Sequence, residues 1–237
     1  MKLHRFLIVV MVTCLLSGPA LARKAELPAV SHDGLELRQG KVAEVLYVRP
    51  GVDFSGYQRF VILECPVAFS KDWERDRKSG PLRVSQKDMD EMKASLSAEF
   101  LKIFTDELQN KGGYTIVTEG AEDVLILRPA IIDLEVSAPD TMTAGRSYTL
   151  SEGAGGMTLY LEIYDSATGQ ILARAIDRQE DRGMGRIQWQ NAVTNKAEAD
   201  RILRRWAECN PQLELRATDY THDPVVLAKS HKLAAIN

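Results

Sequence analysis

Apolar and polar residues alternate strictly from Met157 to Tyr164, with Met157, Leu159, Leu161 and Ile163 on one side and Thr158, Tyr160, Glu162 and Tyr164 on the other. A period of two marks a strand with one covered face. Asp165-Ser-Ala-Thr-Gly169 supplies a turn with glycine where positive φ is needed, and Gln170 to Arg178 returns, so a β-hairpin is predicted. After Ser85 the period changes. Met89, Met92, Leu96, Phe100, Phe104 and Leu108 recur at spacings of three and four, a single helical stripe. Ser85 with Asp88 makes a capping pattern at its start, and Gly112-Gly113 closes it. A second helix is predicted from about Asn195 to Cys209, with Ala199, Ile202, Leu203, Trp206 and Cys209 as its apolar stripe.

Shorter apolar runs predict the remaining strands. Lys41 to Val48 stops at Arg49-Pro50-Gly51, and Tyr57 to Phe69 contains the continuous run Phe60-Val61-Ile62-Leu63, with Pro66 marking an edge or bulge. Tyr114 to Thr118 is short. Val124 to Val136 is long, apolar at first and alternating later, with Pro129 at a bulge or missing ladder bond. Lys71 to Val84, dense in alternating charge, predicts a solvated loop, and a second loop runs from Gln179 to Gln190. The order β-β-α-β-β-β-β-α is not the alternation of a doubly wound sheet. It predicts an α+β domain with a mixed or mostly antiparallel sheet and two main helices on one face.

The N-terminus changes the picture. Lys2 and Arg5 precede the apolar run Phe6 to Leu16, Ser17-Gly18-Pro19 breaks it, and Ala20-Leu21-Ala22 offers a cleavage site. Such a run is too short for a permanent span, which needs about 20 residues. Residues 1–22 therefore read as a cleavable signal peptide, 23–40 as a flexible leader, 41–210 as a single α+β domain and 211–237 as a weakly structured tail. Cys14 is a poor acylation site, because Val12 and Thr13 precede it and the apolar run continues beyond it. The expectation is a soluble periplasmic protein without a transmembrane segment.

Removing Lys2 and Arg5 leaves 28 basic residues against 33 acidic ones, which offers no footprint for nucleic acid. Two cysteines survive processing, Cys65 and Cys209. In an oxidising compartment they are a candidate disulfide, with two separate buried thiols as the alternative. Histidines 32, 222 and 231 fall in leader or tail, and neither H-E-x-x-H nor paired CxxC occurs, so no metal or cofactor is expected. Gly145-Arg146-Ser147-Tyr148-Thr149 lacks the second glycine of a nucleophile elbow. Gly153-Ala-Gly-Gly156 lacks the lysine of a phosphate loop and precedes a strand. No catalytic residues emerge. The polar, glycine-rich insertion 137–156 is long for a loop and contains Asp140, Arg146 and Tyr148: an acceptor, a planar cation and an aromatic donor. They form a candidate partner-binding set, against the alternative that Arg146 pairs with Asp140 and pins the insertion to the sheet.

Ala138-Pro-Asp-Thr-Met-Thr-Ala-Gly-Arg146, Gly156-Met-Thr-Leu-Tyr-Leu-Glu-Ile-Tyr-Asp165 and Thr168-Gly-Gln-Ile-Leu-Ala-Arg-Ala-Ile-Asp-Arg178 resemble the bacterial family called domain of unknown function 3313. The likeness extends to Asp53-Phe-Ser-Gly-Tyr57 and the closing helix. It implies an envelope location, shared by exported proteins and lipoproteins, and an α+β domain, and it brings no catalytic residues. This chain departs from the lipoprotein members at Cys14, whose surroundings make a poor acylation motif.

The resulting expectation is a non-enzymatic exported accessory protein that binds an envelope protein or cell-wall component, with outer-membrane association left open. The alternative is a small-ligand or cell-wall-fragment binder with an apolar pocket lined by Trp73, Tyr148 or Tyr160. A carboxylate-dependent hydrolase stands behind both, and would need two acids with shifted pKa values meeting in a cleft.

Overall fold

A computed structural model of the protein describes residues 27–38, 43–79, 83–136, 149–151, 155–180, 188–190 and 192–208. The hairpin forms as its alternation predicts. Strands β8 (Gly156–Asp165) and β9 (Ile171–Glu180) pair antiparallel, and Gly169 takes φ 68° in the turn between them. Around this hairpin an eight-stranded sheet assembles from β1 (Glu36–Arg38), β2 (Val45–Val48), β3 (Arg59–Ile62), β4 (Val67–Phe69), β5 (Thr115–Ile116) and β6 (Val124–Glu135). The strand order is β1-β2-β9-β8-β6-β3-β5, with β4 also on β6. The β3–β5, β3–β6 and β4–β6 pairs are parallel and the rest of this sheet is antiparallel. The domain is therefore α+β with a mixed sheet, as the element order predicts.

Proline shapes the sheet where sequence places it. The strand expected over Tyr57 to Phe69 is two strands, β3 and β4, with Pro66 between them. Ile131 donates to the Pro66 carbonyl at 2.9 Å, so Pro129, two residues earlier on β6, turns its missing N–H toward the gap between β3 and β4. Of the two alternatives at Pro129 the missing ladder bond is the one found, and the bulge of β6 lies further on. The β6–β8 register slips between Ile132 and Glu135, where Asp133 has φ 51°, a conformation aspartate tolerates better than most residues.

Helix α2 (Gln86–Asn110) begins as its capping pattern predicts: Ser85 Oγ accepts from Asp88 N at 3.1 Å and donates to the Asp88 carboxylate at 2.8 Å. Helix α3 (Ala192–Glu208) starts three residues before Asn195, where the apolar stripe predicts its beginning. Both helices cover one face of the sheet. Phe100, Ile103, Phe104 and Leu108 of α2 and Ile202, Leu203 and Trp206 of α3 share one core with Leu125, Leu127, Leu159, Leu161 and Ile163.

Three expectations are overturned. Lys71 to Val84 is not simply a loop, because Lys71–Ser79 forms helix α1. Its alternating charges are helical neighbours (Arg75 to Asp72 at 2.9 Å, Lys78 to Glu74 at 2.8 Å), and Trp73 stacks on Phe69 with centroids 4.3 Å apart. The leader assigned to 23–40 contains β1, and Leu35 is fully buried, so the folded domain begins before residue 41. The stretches 137–156 and 179–190, expected as loops, contribute β7 (Thr149–Ser151) and β10 (Gln188–Gln190), which pair antiparallel as a separate ribbon.

Candidate functional site

The outward face of the hairpin carries a dense polar arrangement. Tyr160, Glu162 and Tyr164 stand in a row on β8, and the ladder sets Arg174 of β9 directly opposite Glu162. Glu162 is nearly buried, and its carboxylate accepts from Tyr160 Oη (2.9 Å), Tyr164 Oη (2.7 Å) and both Nε and Nη2 of Arg174 (3.0 and 2.9 Å). Arg128 of β6 adds a longer contact at 3.4 Å. Burial works to raise the carboxyl's pKa, but the bonds from Tyr164, Tyr160 and Arg174 outweigh it and hold Glu162 below its ordinary value.

Arg174 also grips the N-terminal segment. Its guanidinium bonds both carboxylate oxygens of Asp33, in the tight turn between Ser31 and Leu35. Ser31 Oγ donates to the same carboxylate at 2.7 Å, and Tyr47 Oη donates to the Pro28 carbonyl at 2.8 Å. The Arg174 bond holds the Asp33 carboxyl well below the usual carboxylate range. Beneath this clasp Leu35, Tyr47 and Ile171 form a small second core. Asp33 and Glu162 thus meet across one cation, and both are held ionised. An acid/base pair of the hydrolase type needs one carboxyl raised.

A similar economy holds at the hairpin turn. Asp165 accepts from Tyr57 Oη at 2.5 Å and from Thr168 N and Oγ1 at 2.6 and 2.7 Å, which lowers its pKa. Burial, reinforced by this carboxylate, pushes the Tyr57 phenol up to about 12.

At the far end of β9 lies a polar cleft of about 510 Å³, lined by Glu44, Arg178, Gln179, Glu180, Arg201, Ile202 and Arg205. Asp177 fixes its walls: Oδ1 accepts from Glu44 N at 3.0 Å and Oδ2 from Trp206 Nε1 at 2.7 Å, tying the entry to β2 and helix α3 to β9. Arg178 Nε reaches Glu180 at 2.8 Å, and Arg201 meets Glu198 at 2.6 and 3.0 Å. Arg205 is exposed and makes no hydrogen bond or ion pair among the described residues.

Residues 28–209 match the model of a family described as a protein of unknown function (DUF3313). The chain belongs to the DUF3313 family. No curated protein matches this DUF3313 chain. Among solved structures it is similar to the PelC dodecamer from Paraburkholderia phytofirmans (10% identity, 69% of this chain and 96% of that one, TM-score 0.35). A PDZ domain protein from Parabacteroides distasonis aligns at 12% identity over 69% of this chain and 33% of that one, TM-score 0.35. A neuraminyllactose-binding hemagglutinin homolog from Helicobacter pylori aligns at 11% over 74% and 98%, TM-score 0.30.

Asp140, Arg146, Tyr148 and Cys209 lie outside the described residues. Cys65 is buried between β3 and β4, where burial pushes its thiol up to about 12. Trp73 and Tyr160 are not among the cleft's lining residues; Trp73 packs on Phe69 and donates to the Val136 carbonyl at 2.9 Å. The hairpin is legible in sequence, but the Glu162–Arg174 pairing is not, because a register slip between Ile163 and Tyr164 is what sets the two opposite each other. Asp33, 141 residues from Arg174, carries no local signal. Arg201 and Arg205 share a face of the predicted helix at i, i+4, but only the fold brings Arg178 of β9 to the same cleft.

Proposed function

We propose that this DUF3313 protein is a non-enzymatic exported accessory protein of the bacterial envelope that binds another envelope component. The observation that supports it best is a division of labour among its charges. Glu162, Asp33, Arg174 and Asp165 are committed to bonds that hold the fold together, whereas the cleft at the end of β9 gathers arginines from two elements on an accessible concave surface. The signal-peptide pattern of residues 1–22 supports export to the periplasm. No described helix is long and apolar enough to cross a membrane. The cleft also favours a cell-wall fragment or other small ligand as a second reading, since about 510 Å³ is within the size range of ligand sites.

In-cell crosslinking followed by envelope fractionation tests the proposal. The expected result is a processed chain starting at Arg23, recovered from the periplasmic or outer-membrane fraction and linked to a defined envelope component. An unprocessed cytoplasmic chain would overturn it.

A further inference from the structure

The geometry points to the cleft between β9 and α3 as a binding site for an oxyanion, a phosphate or carboxylate group carried by the ligand, with Arg205 as its anchor. The inference rests on the envelope-binding reading and gives it a chemistry. Arg201 and Arg205 are one turn apart on α3 and so share a helix face, while Arg178 comes from β9 on the opposite wall. Arginines that line one concavity suit oxygen-rich anions, because each planar fork offers two parallel N–H donors.

The acids nearby set the balance. Glu180 pairs with Arg178 and Glu198 with Arg201, so each of these forks has a carboxylate at its side. Glu44 is the remaining acid in the lining. Arg205 is the arginine for which no described carboxylate supplies a partner. A ligand oxyanion that docks on Arg205 and bridges toward Arg201 adds the missing counter-charge without breaking the Arg178–Glu180 pair. The neighbouring Arg204 provides an internal control. It projects instead toward α2, with Nη1 3.5 Å from Glu107 Oε1, and does not line the cleft.

Trp206 reports on the site. It follows Arg205 in sequence, and its indole N–H bonds Asp177 beside Arg178. Full-length ¹⁵N-labelled protein is titrated with inorganic pyrophosphate in one arm and malonate in the other, following the Trp206 indole N–H resonance. A saturable shift is expected in at least one arm, and the arm that responds identifies phosphate or carboxylate as the recognised group. Arg205→Ala weakens that binding by about tenfold or more, the loss expected for a charge-assisted bond, and Arg205→Lys weakens it less. Arg204→Ala leaves it unchanged. Absence of a saturable shift in both arms, or one indifferent to Arg205→Ala in a variant that still unfolds like the parent, overturns the assignment. If crosslinking recovers the same envelope partner with wild type and Arg205→Ala, the envelope-binding proposal stands and the cleft assignment falls.

Discussion

The two faces of the central sheet are stabilised by different chemistry. On the helix side, α2 and α3 seal a continuous apolar core against β6, β8 and β9, and Phe100 stacks on Phe104 with centroids 3.9 Å apart. On the other side no described helix packs. There the outward row of the hairpin is closed by its own polar tips and by the N-terminal segment, which Asp33 clasps onto Arg174. Apolar packing tolerates substitution by degrees, through lost area and residual cavities. A partly buried ionic cluster does not, because losing one member leaves the others charged and short of their main counter-charge. The comparison therefore predicts graded losses on one face and an abrupt, pH-sensitive loss on the other.

The largest effect is expected on the helix side. Phe100→Ala should cost about 4 kcal/mol in equilibrium denaturation, the range for a fully buried aromatic. Arg174→Ala follows at about 3 kcal/mol, since it takes the cation at 2.9 Å from the nearly buried Glu162 and leaves it the two tyrosine bonds and the longer Arg128 contact. Changing Arg174→Met together with Glu162→Leu and Asp33→Asn should recover much of that loss, and failure to recover would show that the network contributes more than its own neutralisation. Acid should act on the same face. The folded pKa values of Asp33 and Glu162 are depressed, so their stabilisation is present above the unfolded carboxylate range of about 4 and is lost as pH falls below it. Wild type should thus lose stability on going from pH 6 to pH 3, with a shallower slope in the triple variant. Ser85→Ala is the smallest change, about 1 kcal/mol from the lost α2 cap, and should be independent of the outer-face substitutions.

What sequence made legible follows the range of the interactions. The β8–β9 hairpin and α2 depend on local period, turn chemistry and capping, and all three are written within a few residues of each other. Helix α1 was hidden because charge alternation resembles a solvated loop until its partners are counted at i+3 and i+4. Strand β1 has three residues and no period, and it exists only by pairing with β2 and burying Leu35. The same holds for function. The hairpin could be read, but not the slip between Ile163 and Tyr164 that sets Glu162 against Arg174, and the Asp33 clasp and the arginine cleft join residues more than a hundred positions apart or elements whose packing angle no local pattern encodes.

Arginines of similar chemistry have different tasks: Arg174 holds the fold, and Arg205, which has no partner among the described residues, meets the ligand. Side-by-side urea unfolding of Arg174→Ala and Arg205→Ala tests this difference most directly. The expected result is a loss of about 3 kcal/mol for the first and a change within about 0.5 kcal/mol for the second. Equal losses, or a larger loss at Arg205, would contradict it.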